Sequence, residues 1–316
     1  MISLLVGNGL LAALPVWMRP LGGVAAGAAG AAVALILVSL AIQWLFPRVA
    51  AVARVTAKEA TSQPLFALLM ALGVFALILF PYLPYNTFGD DIKLLKDEGL
   101  TLIMLLSTFF AVWTASTSIA DEIEGRTAMT VLSKPIGRRE FVLGKFLGVL
   151  LPVAVLFLVL GTLFLASVSF KVVYDARESA LPTPTWRECA EEIQQIAPGL
   201  ALAFMATVIL ASIAVAVSMR LPLIPNLLIC ASIYVLGNLL PTIVAAASGA
   251  FEIPYFFAQL LAAVLPVLEV FNVYTAIATN NRVPLEYLLW PGLYCALYTT
   301  FALLLALLLF EDRDLA

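Results

Sequence analysis

Seven stretches of the chain stay apolar for about the 20 residues that a helix needs to cross hydrocarbon: 22–46, 63–83, 99–120, 142–169, 199–219, 224–247 and 287–310. They are long and uniform. Strands of a membrane barrel would instead alternate apolar and polar positions. The pattern predicts an all-α polytopic membrane protein. An eighth stretch, 254–278, is apolar but is broken by Pro266 and carries Glu269 and Asn272. A charge at mid-bilayer costs about 2.5–3.5 kcal/mol on insertion scales. It therefore reads as part of a re-entrant or interfacial region over 250–283. Glu252 and Glu269 would then either line a substrate path or let their carboxylates reach water.

The polar interruptions are as informative as the apolar runs. In "FPRVAAVARVTAKEATSQP", Arg48, Arg54 and Lys58 are spaced with Ala51, Val52 and Val55 between them. This predicts an amphipathic helix over 48–62 lying in the interface; a solvated linker is the alternative. In the first apolar run Gly23 and Gly27 form a small-xxx-small pair, which lets helices approach closely. Packing within the chain and a dimer face both fit. The segment 171–197 reads as the longest outer loop. In it Thr185 and Glu188 make a capping-box start for a short surface helix, and Pro198 is expected to stop it.

Composition agrees with the pattern. The chain is 63% hydrophobic, against about 45–50% for soluble domains on a comparable count. A net charge of −3 with no long basic run gives no reason to expect a nucleic-acid partner. The N-terminal "MISLLVGNGLLAALPVW" lacks the basic start of a secretory signal and reads as a retained hydrophobic segment. The three cysteines suggest no disulfide framework. There is no histidine, which removes the commonest general base and metal ligand from this chain.

Charge is concentrated in "EIEGRTAMTVLSKPIGRREFVLGKFLG", residues 122–148. Moving Arg126, Lys134, Arg138, Arg139 and Lys145 through hydrocarbon would cost on the order of 15 kcal/mol, at about 3 each. The segment therefore stays in water and pins the helices beside it. With 121–141 on the cytoplasmic side, ten basic residues fall inside and seven outside, as the positive-inside bias requires. The C-terminus is then cytoplasmic. Ala128, Val131 and Leu132 have helical spacing. Glu122 and Glu124 precede them, where acidic groups complement a helix dipole. Pro135 ends this short amphipathic helix, and Gly137 permits a tight reversal. Such an element can dock in a partner's groove; an ordinary charged connecting loop has the same composition.

These residues resemble the signature of ABC-2 type permease subunits, most closely the NosY-like and GldF-like branch. The matching positions are Glu122, Glu124, Thr127, Leu132, Ser133, Pro135, Ile136, Arg139, Gly144 and Lys145. "TAKEATSQPLF" is similar to that family's elbow helix, and "LPVLEVFNV" and "LLLFEDRDL" also resemble family features. The resemblance spans roughly 50–316. It implies a six-helix permease domain over 47–316, with residues 1–46 adding an extra membrane helix. It implies a multi-pass subunit of the cell membrane, one half of an ABC transporter, paired with a second permease subunit, identical or not. A separate ATPase would hold ATP and Mg²⁺. The region 121–137 would be the coupling helix, with Glu122, Glu124, Arg126, Thr127, Leu132, Ser133, Pro135, Arg138, Arg139 and Lys145 at the ATPase interface.

Two enzyme-like motifs fail on inspection. A phosphate loop ending at Gly144-Lys145 would need glycine where Arg139 stands and a hydroxyl where Phe146 stands. "TFGDD" has Thr87 where an intramembrane aspartyl protease needs glycine. No catalytic residue or cofactor is therefore expected in this chain. An ion-coupled secondary transporter or a scaffold is the rival class. The former tends to show internal repeats with matched broken helices, and none is evident.

Overall fold

The computed structural model describes residues 14–83, 91–124, 137–180, 182–247, 252–273, 276 and 283–311. Among the described residues there is no strand. The described residues form nine α-helices, in order: α1 (Leu21–Leu45), α2 (Pro47–Ser62), α3 (Pro64–Leu79), α4 (Asp91–Glu124), α5 (Arg138–Glu178), α6 (Trp186–Ser218), α7 (Leu223–Ala247), α8 (Glu252–Val264) and α9 (Leu289–Glu311). Seven helical segments among the described residues are long and apolar enough to cross a membrane. The protein is an all-α polytopic membrane protein.

The bundle is organised around α5 and α6, of 41 and 33 residues. At 1.5 Å per residue they extend for about 60 and 50 Å, well beyond the roughly 30 Å hydrocarbon core. The helix α5 packs against α2, α4 and α6, and α6 packs against α4, α5 and α9. Their facing side chains, among them Val149, Leu156, Leu160, Ile209 and Leu210, form the buried core. By contrast α1 has no buried residue. A helix that is apolar all round and unburied by protein is suited to lipid.

Several polar turns expected in loops are helical. The helix α4 starts at Asp91, eight residues before the apolar run, and α5 continues to Glu178. The expected outer loop 171–197 therefore reduces to a short connection between α5 and α6. Hydropathy marks only the part of a helix that sits in hydrocarbon; the water-facing turns of long helices escape it. Thr185 does cap α6, accepting a hydrogen bond from the Glu188 N–H at 3.5 Å. Pro198, however, lies inside α6 and does not stop it. An interior proline costs about 3 kcal/mol or more. Burial of Cys189, Ile193 and Ile196 on the preceding turns offsets it.

The amphipathic helix α2 buries Val49, Ala50, Ala53, Thr56 and Ala60, a stripe at three- and four-residue spacing. This stripe differs from the expected apolar positions, for Ala51 and Val55 are exposed. It meets α5 at Gly144 and Gly148. A Cβ at Gly148 would stand 2.5 Å from Thr56 Cβ and 2.8 Å from the Ala53 carbonyl oxygen. One at Gly144 would stand 2.6 Å from Val52 Cβ. Only glycine admits this approach. Around Gly23 and Gly27, in contrast, nothing among the described residues lies within 4 Å of such a Cβ. Of the two readings of that pair, close packing within the chain is not seen among the described residues.

The helix α8 has 13 residues, about 20 Å, too short to span hydrocarbon. It packs on α7. A 3-10 turn, Leu268–Phe271, then brings the chain back against α6 and α7. Glu269 on this turn is exposed.

Candidate functional site: the charged end of the bundle

The C-terminus of α4, the N-terminus of α5, the start of α2 and the ends of α6 and α9 meet at one end of the bundle. Phe141 of α5 stacks on Phe310 of α9, with centroids 5.5 Å apart. The Arg220 Nε, just past α6, donates to the Leu309 carbonyl oxygen at 2.9 Å. A cation beside open helix-terminal carbonyls is electrostatically favourable.

Gly137 is the N-cap of α5 with φ −72° and ψ 154°. That is ordinary extended backbone, so the expected glycine-dependent reversal is not what this residue supplies. Its N–H donates to Glu140 Oε2 at 2.8 Å. The other Glu140 oxygen meets Arg48 Nη1 of the α2 start at 3.4 Å. Glu140 thus fixes the first turn of α5 to the start of α2.

Arg138 and Arg139 occupy that same first turn and are exposed. Two cations at a helix N-terminus oppose the dipole by about 0.3–1 kcal/mol each. Local helix stability therefore does not explain them. They present positive charge on the surface of this end of the bundle.

Lys145 behaves differently. It is 1% exposed. Its Nζ donates to Ser118 Oγ at 2.8 Å and to the Ser118 carbonyl oxygen at 3.1 Å, and lies 5.8 Å from the Phe141 ring centroid. Lys145 points into the bundle and joins α5 to the end of α4. It does not contribute to the exposed surface. Ser118 was not singled out by sequence reasoning. Nothing local marks it, since its partner lies 27 positions away.

Glu122 and Glu124 fall in the last turn of α4. Arg126, Thr127, Leu132, Ser133 and Pro135 lie outside the described residues, as does the short amphipathic helix expected over them. Arg48, Arg138, Arg139, Lys145 and Arg220 share this end of the bundle. Lys96, Lys171 and Arg187 lie at the other, where Lys96 is bound by Glu192 and Gln195 and Lys171 by Asp175 at 2.9 Å. The three cysteines are buried and free. Among the described residues no group of three His, Cys, Asp or Glu could hold a metal ion.

A family model described as "ABC-2 family transporter protein" matches residues 80–315, from the end of α3 to the end of the chain. No curated protein matches the chain.

Proposed function

The chain belongs to the ABC-2 transporter family, and on that premise we propose that its charged end is the docking and coupling face for a separate ABC ATPase. The protein is a membrane permease subunit. In this reading ATP and Mg²⁺ are held by the partner, and the present chain carries no catalytic residue. Residues 121–137 form the coupling segment, with Glu122, Glu124, Arg126, Thr127, Leu132, Ser133, Pro135, Arg138 and Arg139 at the interface and Lys145 behind them. The charged end faces the cytoplasm, together with the C-terminus, and a second permease subunit completes the membrane unit. The motif in residues 122–148 supports a place near the NosY-like and GldF-like branch.

The observation that carries this reading is the way α4 and α5 are joined behind the segment between them. Lys145 ties α5 to Ser118 of α4. Glu140 and the close contact at Gly144 and Gly148 tie α5 to the elbow. A push on residues 125–136 is delivered to three elements at once, and through α5 to most of the core. For ATP to drive a change, it must favour one arrangement of the ATPases over the other; a rigid seat transmits that preference. The exposed Arg138 and Arg139, placed against their helix dipole, supply a cationic surface for the docking partner. The family match favours this reading over a secondary transporter or a scaffold.

Charge reversal of Glu122 and Glu124 to lysine is the direct test. In complexes with the ATPase, stimulated ATP hydrolysis should fall severalfold while membrane insertion is retained. Full stimulation in that variant contradicts the assignment.

A further inference from the structure

Away from the charged end, a cavity of about 180 Å³ lies between α4, α6, α7 and the bend that follows α8. Its polar wall is made by Asp97 and Thr101 of α4, Tyr234 and Asn238 of α7, and Asn272 of the bend. From α6 it receives Gly199, Ala203 and Ala206. Lys96 precedes Asp97 in the chain but is engaged by Glu192 and Gln195. Among the described residues no cation pairs with the Asp97 carboxylate. The Asn238 Nδ2 donates to the Tyr234 carbonyl oxygen at 2.8 Å, which leaves its Oδ1 as an acceptor. The residues lining the cavity therefore include one carboxylate, an amide oxygen and two hydroxyls.

We propose that this cavity binds a monovalent cation, either an alkali metal ion or a primary ammonium group. A half-buried carboxylate is costly to desolvate unless it is paired, and a bound cation supplies the pair. One carboxylate with neutral oxygens balances a single positive charge. Calcium sites draw on more carboxylates, and softer metals prefer imidazole or thiolate. The volume suits a small ion with a few waters, at about 30 Å³ per water. Beside the cavity α7 and the bend pack tightly: a Cβ on Gly237 would stand 2.7 Å from the Pro266 carbonyl oxygen and 2.9 Å from Cγ of the lining residue Leu268. Cation binding thus joins α4 to α7 and to the bend. The site is distinct from the charged end and does not depend on how that end is used.

The test is thermal unfolding of the full-length chain in micelles, at equal ionic strength. The salts are the chlorides of sodium, potassium, ammonium, methylammonium and the bulky N-methyl-D-glucamine. A saturable rise of about 2–4 °C with a small cation over the bulky one is expected, and Asp97→Asn should abolish it. A response to sodium or potassium alone assigns a metal ion; a response to the ammonium salts alone assigns an amine group. Equal melting in all five salts, or an undiminished rise in Asp97→Asn, overturns the proposal. If Asp97→Asn does not fold, Thr101→Val and Asn238→Leu serve instead. Each should weaken the apparent affinity about fivefold or more, and unchanged affinity in both overturns it.

Discussion

Two pairs of glycines with the same four-residue spacing have opposite fates in this molecule. Gly144 and Gly148 on α5 sit against the elbow so closely that a Cβ would meet Val52 or Thr56 within 2.6 Å. Gly23 and Gly27 on α1 meet nothing among the described residues within 4 Å of an added Cβ. They open instead onto a cleft of about 900 Å³ between α1 and the α5–α6 pair. Spacing permits close approach, but the partner decides whether it happens. The elbow brings a buried stripe of small residues and an ion pair at its start. The apolar α1 has no such directional face, and lipid solvates it as well as protein does.

The sharpest way to break this contrast is a leucine at each pair. Gly148→Leu drives a branched side chain into Thr56 and the Ala53 backbone. It should cost about 3 kcal/mol or more, at the top of the usual overpacking range, read as a lower melting temperature and faster proteolysis near the elbow. Gly27→Leu should leave the melting temperature of the isolated chain unchanged within about 0.5 kcal/mol. A smaller effect of opposite sign is expected at Thr56, whose buried Oγ1 has no hydrogen-bond partner among the described residues. Thr56→Val keeps the methyl that faces Gly148 and removes the unsatisfied hydroxyl. It should stabilise by up to about 1 kcal/mol in the same melting assay. A small effect is also expected of Arg48→Ala. Its ion pair with Glu140 is 56% and 31% exposed on the two sides, and exposed pairs contribute about 0–1 kcal/mol. A large loss there would mean that the elbow is held by charge and not by packing.

The contrast also shows what the sequence could reveal. The apolar runs mark the membrane helices, because burial in hydrocarbon demands uniform apolarity over a fixed length. They do not mark Asp91–Glu98 as helix, since those turns carry charges that stay in water. That omission left Asp97 outside the reading, although a lysine–aspartate pair leading into an apolar run is a visible signal. Arg138 and Arg139 are exposed as a charged segment suggests. Lys145 sits in the same basic run, and only the distant Ser118 determines that it turns inward. The buried stripe of α2 was likewise set by where α5 lies, not by its local apolar positions.

The central claim is that the end bearing Arg138 faces the ATPase-containing side of the membrane, and impermeant thiol labelling tests it most directly. Single cysteines at Arg138 and at the exposed Glu269 are suitable, since the native cysteines are buried. The account predicts that Glu269→Cys is labelled in intact cells and Arg138→Cys only after permeabilisation. Labelling of Arg138→Cys in intact cells would contradict it.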